Sequence, residues 1–129
     1  MSFSDYLENK ILAYTFSGTA FTPAATKYMA LYTVAPNDDG TGGTEVSTSG
    51  TAYARQTVAF TTTSSQSSNT AAVEFPTATA GYGTVVAIGV LDAATSGNLY
   101  AVGTLSVSKA ISTGDVFRVP AGDLDIDLT

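Results

Sequence analysis

The order of apolar and polar residues divides the chain into a short helical opening and a long stretch of strand texture. Phe3, Leu7, Ile11 and Tyr14 recur at i, i+4, i+8 and i+11, an apolar stripe of helical period. Ser2 or Ser4 supplies an N-cap, Asp5 and Glu8 suit the positive end of the helix dipole, and Gly18 is a stop. A helix of about 12 residues is marginal in water alone and must dock on something. Two partners are open: the sheet of its own domain, or a neighbouring subunit reached by an arm.

After Pro23 the period changes. Tyr28 to Val34 (YMALYTV) alternates as a strand and Pro36 ends it. Asn37 to Gly50 (NDDGTGGTEVSTSG) reads as a long polar loop in which only Val46 is apolar, and loops of that length tend to be functional or mobile. Tyr53 to Phe60 (YARQTVAF) is a strand, Thr61 to Asn69 (TTTSSQSSN) a polar connector, and Thr70 to Phe75 a further strand closed by Pro76. Gly83 to Leu91 (GTVVAIGVL) is apolar on both faces, as a central strand is. The turn Asp92 to Asn98 leads to a returning strand, Leu99 to Leu105. Val107 to Ile111 and Val116 to Val119 flank a Ser-Thr-Gly-Asp turn and predict a second hairpin. Leu124, Ile126 and Leu128 alternate with Asp123, Asp125 and Asp127, giving a half-buried strand with an acidic outer face.

Seven or eight short antiparallel strands at this spacing predict a mainly β fold, a β-sandwich or barrel-like domain with an N-terminal helix. With no fixed-period repeat and no dividing break, the expected organisation is one domain over 1–129: a helical arm at 1–17 and a β-domain at 24–129. At 129 residues the length agrees.

Composition narrows the function classes. The chain has no His, Cys or Trp, only 12% charged residues, and 21 Thr with 13 Ser. Zinc sites of the usual kinds, thiol nucleophiles, disulfides and Ser-His-Asp triads are therefore excluded. A net charge of −6 argues against a nucleic-acid groove or an anionic membrane surface. The longest apolar run, Val85 to Leu91, is far short of a bilayer span, and no secretory signal is visible at the N-terminus. The expectation is a soluble chain synthesised in the cytoplasm.

Candidate chemistry is sparse. Glu74, between Val73 and Phe75, is the one acid embedded among apolar neighbours, and alternation points it away from them. That leaves no catalytic carboxylate pair of the kind glycosidases need. Asp38, Asp39 and Glu45, or Asp123, Asp125 and Asp127, place acids that could meet a hard cation, but neither set has EF-hand spacing; a solvated loop and a charge-protected edge strand account for them as well. Gly40 to Gly43 has no phosphate-loop context. Tyr53, Tyr82 and Tyr100 would serve a carbohydrate platform or half-buried strand positions equally. Arg55 and Arg118, scarce cations among apolar neighbours, would pair with carboxylates across a subunit contact or within the chain. No enzymatic activity, cofactor or metal is expected, and the weight falls on a structural role.

Several blocks carry a resemblance: MSFSDYLENKIL at Met1 to Leu12, YMALYTVAP at Tyr28 to Pro36, GGTEVS at Gly42 to Ser47 and YARQTVAF at Tyr53 to Phe60. The run FPTATAGYGTVVAIGVLDAATSGNLYAVGTL at Phe75 to Leu105 and the ending GDVFRVPAGDLDIDL at Gly114 to Leu128 complete it. Together they resemble small virion proteins of tailed bacteriophages, often labelled tail fibre protein and similar to capsid cement or decoration proteins. The resemblance implies a virion structural protein. The role expected from it, together with the lack of a shaft repeat, is a cement that binds the major capsid protein and stabilises the head lattice. A tail-fibre component that binds a host receptor or glycan is the alternative. It also implies a homo-oligomer, a trimer by analogy with cements at symmetry axes. The candidate interface residues are Phe3, Tyr6, Leu7 and Ile11 on the arm, Asp38, Asp39 and Glu45 on the loop, and Arg55 and Arg118.

Overall fold

A computed structural model describes residues 1–128. Its elements run β1 (Ser2–Phe3), α1 (Asp5–Ser17), β2 (Lys27–Val34), β3 (Thr44–Glu45), β4 (Gln56–Val58) and β5 (Phe60–Thr63). There follow β6 (Gln66–Asn69), β7 (Val73–Glu74), β8 (Gly83–Leu91), β9 (Leu99–Ile111), β10 (Arg118–Val119) and β11 (Asp125–Asp127). The fold is mainly β and antiparallel with one N-terminal helix, as the alternation predicts. The strand count is eleven among the described residues rather than seven or eight.

The main sheet has the order β1-β9-β8-β2-β3, with β4 also pairing with β2. β8 lies at its centre, where a strand apolar on both faces belongs. One face of this sheet meets a second layer made of β11-β6-β5 and β10-β7. Between them Met29, Leu31, Val85, Ile88 and Val90 pack with Val58, Val73, Phe75, Phe117 and Leu124. Tyr53 stacks on Phe75 at 6.0 Å between ring centroids and meets Tyr82 edge-on at 5.7 Å. A smaller cluster of Ala30, Tyr32, Ala87, Leu91, Leu99 and Val102 occupies the opposite face. There Gly89 is required by packing, because a Cβ would stand 2.7 Å from Tyr32 Cε2 and 3.1 Å from Leu99 Cδ1.

Four sequence expectations are corrected. The Asn37–Gly50 loop is not structureless, because Thr44–Glu45 pairs with β2 and Val46 is buried beneath it. The Tyr53–Phe60 strand is broken: Tyr53 turns into the core and only Gln56–Val58 pairs with β2. The connector Thr61–Asn69 is largely a hairpin, β5 on β6, whose Ser/Thr side chains left no apolar alternation to read. The second hairpin does not form. Instead β9 runs on through Val107 along β8, with Leu105–Ser108 bulging opposite Val86, between the pairs Ala87–Thr104 and Val85–Lys109. Val119 pairs with Val73 instead.

Candidate functional site

The surface of interest is built around α1. Ser4, 1% exposed, is its N-cap: its Oγ accepts from the Leu7 amide at 3.2 Å and donates to the Leu99 carbonyl. The preceding Phe3 lies in β1, opposite Ala101 of β9, so it belongs to the sheet rather than to the helical stripe. The Ser4 amide donates to the Tyr100 carbonyl and the Asp5 amide to the Asp38 carbonyl, both at 2.8 Å. Tyr6 lies flat on Tyr100 at 6.1 Å, with Lys10 Nζ 5.5 Å from the Tyr6 ring centre. The Tyr100 hydroxyl in turn accepts from the Ala24 amide at 3.1 Å. The helix root is therefore clamped by backbone bonds, a buried cap and a ring stack.

Its far end is not. No residue of α1 itself is fully buried. Leu7 and Ile11 are half-buried, whereas Leu12, Tyr14 and Phe16 are 55%, 59% and 81% exposed. Gly18 ends the helix in the left-handed region at φ +71°, a conformation that favours glycine. Leu12 and Phe16 lie one turn apart, off the Leu7, Ile11, Tyr14 stripe, and sequence reading by a single period passes over them. The signal that would have found them is a second apolar face in the last two turns.

The loop candidates behave differently. The Asp39 carboxylate accepts from the Thr41 amide at 2.9 Å and the Thr41 hydroxyl at 2.6 Å, and these bonds hold its carboxyl below its ordinary pKa. Asp38 contributes its carbonyl to the helix root. Glu45 and Arg55 face each other within the chain. Arg55 Nη2 reaches Glu45 Oε1 at 2.8 Å and Nε reaches Oε2 at 3.0 Å, a two-pronged pair. Arg55 Nη1 donates to the carbonyls of Ala93 (2.7 Å) and Ser96 (2.8 Å), tying the β8–β9 turn to the β3 loop. Tyr53 donates its hydroxyl to Glu45 Oε2 at 2.6 Å and accepts from the Leu31 amide. Burial, then the bond to Glu45, pushes the Tyr53 hydroxyl well above its ordinary pKa. Hydrogen bonding to Glu45 holds the Arg55 guanidinium more firmly charged.

Arg118 stands opposite Glu74 across β10 and β7, 3.8 Å away with both side chains more than half exposed, so this pair contributes at most about 1 kcal/mol. Asp125 accepts from Ser68 Oγ, and Asp127 from Gln66 Nε2 at 2.8 Å. Among the described residues no three acids are grouped to hold a metal ion. Tyr53, Tyr82 and Tyr100 are 3–6% exposed, which corrects the carbohydrate-platform option: their rings pack inward and present no stacking face.

Beside the helix root a groove of about 760 Å³ opens between α1, β4 and the β5–β6 hairpin. Phe3, Leu7, Val58, Phe60, Ile126 and Leu128 give it an apolar lining. An exposed apolar helix end and an apolar groove thus lie on one small β scaffold.

Comparison with known families gives these features a setting: the chain is a structural protein of the tailed-phage virion, of fibre type. It belongs to the family described as podophage GP4 fiber I protein gp80, whose model matches residues 2–127. A search among curated proteins finds no match.

Proposed function

We propose that this protein is a tail-fibre component that works by assembly rather than by catalysis, with the outer half of α1 as a principal contact. The observation that carries the reading is the fibre-family match over residues 2–127. The clamped helix root and exposed tip support it, because a rigid root lets a short helix present Leu12, Tyr14 and Phe16 without collapsing onto its own sheet. Many copies on one particle would tolerate weak individual contacts.

A second reading, a head decoration protein bound to the major capsid protein, is favoured by one feature. The chain folds as stacked sheets and carries no shaft-like repeat. Quantitative mass spectrometry on separated heads and tails of the purified virion decides between the two. A few to a few dozen copies, all on tails, is the expected result. Hundreds of copies tracking the major capsid protein on heads would replace the fibre reading with the decoration reading.

A further inference from the structure

The groove beside the helix root and the exposed helix end are complementary, and we infer that the tip of α1 from one copy of this chain docks in the groove of another. The inference deepens the assembly reading above but does not depend on a tail or head address.

Consider first what the tip needs. Leu12 and Phe16 occupy one face of the last two turns and Tyr14 the other, all more than half exposed. A helix end apolar on both faces needs walls on both sides, which a groove supplies and a flat sheet does not. Its own groove is out of reach. Leu7, at the root, is already part of that groove's wall, and thirteen residues in one unbroken helix run straight on for about 20 Å.

Charge agrees with shape. The last turn of α1 carries no basic side chain, so the negative end of its dipole is uncompensated. The chain as a whole carries −6, yet among the described residues the groove lining contains Lys27, the hydroxyls of Thr62 and Ser65, and no carboxylate. A lining with one lysine and hydroxyl donors would attract a helix C-terminus.

Area also agrees. At roughly 150–250 Å² for a buried aromatic side chain, covering Leu12, Tyr14 and Phe16 removes about 400 Å² from water. A copy that both gives a tip and receives one in a reciprocal pair buries roughly 600 Å² per partner, the low end of the range for a stable interface. Such a tip-to-groove contact joins two different patches, so it closes as a reciprocal pair or a small ring.

The test uses the full chain in solution. Light scattering after size exclusion should give a closed oligomer, and the double variant L12S/F16S should run as a monomer. Ala59→Glu, which places a carboxylate in the groove lining at an exposed position, should do the same while leaving its own tip intact. The chain has no cysteine, so a mixture of Phe16→Cys and Ala59→Cys chains should form a mixed disulfide dimer under mild oxidation. Neither variant paired with a control such as Ser112→Cys should do so. A monomeric unmodified chain, an oligomer indifferent to both variants, or no preference for the 16–59 link would each overturn the inference. A monomer that nevertheless needs Leu12 and Phe16 to enter the virion would put another virion protein on the tip. In that case the assembly role stands and the self-docking fails.

Discussion

Arg55 is the most constrained side chain on the surface that the loops form. Its own side chain is 8% exposed, and it holds Glu45 with two prongs while capping the carbonyls of Ala93 and Ser96. Removing it strands a partly buried Glu45 and frees two loops at once. Arg55→Ala should therefore lower stability by about 3 kcal/mol in urea denaturation and speed amide exchange around the β8–β9 turn. Tyr53 makes a pH prediction at the same spot. Its hydroxyl keeps its proton in the folded chain at pH values where the unfolded chain, with the ordinary value of 10.0, releases it. A raised folded pKa means that the stabilisation is complete below about pH 10 and is lost as pH rises beyond it. Tyr32, raised chiefly by burial, acts in the same direction. Unfolding followed against pH should be flat in this respect near neutrality and should fall above 10. Tyr53→Phe should make that fall shallower, at a cost of about 1–2 kcal/mol at neutral pH for the lost bonds to Glu45 and Leu31.

Among the elements, α1 and β8 show opposite ways of being held. The helix hangs on its first turn, so Ser4→Ala should remove about 1–2 kcal/mol through the lost cap and leave the Leu99 carbonyl short of a donor. Hydrogen exchange should then quicken across Asp5–Ser17 before it does so in the sheet. β8 is held on both edges and both faces. Gly89→Ala should cost about 1–3 kcal/mol by overpacking against Tyr32 and Leu99, measured as a lowered midpoint of thermal unfolding. Both elements were legible in the sequence, one from a period of 3.6 with its cap and stop, the other from an unbroken apolar run. The β5–β6 hairpin was not. Apart from Phe60, its strand residues are Thr, Ser, Gln and Asn, whose pairing is secured by backbone bonds and by a cross-strand hydroxyl contact, Thr62 to Ser67, rather than by alternating burial. β3 was hidden for a related reason: two residues inside a Gly-rich loop carry no period, and only the presence of β2 beside them makes a strand.

For the whole molecule, the proposed assembly role rests on the contrast between a packed two-layer β-fold and an exposed apolar helix end. Substituting Leu12 and Phe16 with serine should change the stability of the monomer, measured at dilutions where the unmodified chain is also monomeric, by no more than about 0.5 kcal/mol, since both are exposed in it. The same change should sharply reduce incorporation into particles, read by mass spectrometry of virions grown with the variant. Local pattern alone determined the mainly β class, the place and polarity of the helix, the central strand and the exclusion of thiol, imidazole and triad chemistry. Those follow from short-range sterics, from side-chain periodicity and from which functional groups exist. Tertiary structure decided the rest: that Glu45 meets Arg55 ten residues on, that β9 continues past its expected end, and that Phe3 joins the sheet. It also buried the three candidate tyrosines and set an apolar groove beside the helix root. Each of these depends on which distant segments share an edge or a face, and pairing across tens of residues leaves no periodic mark in the chain.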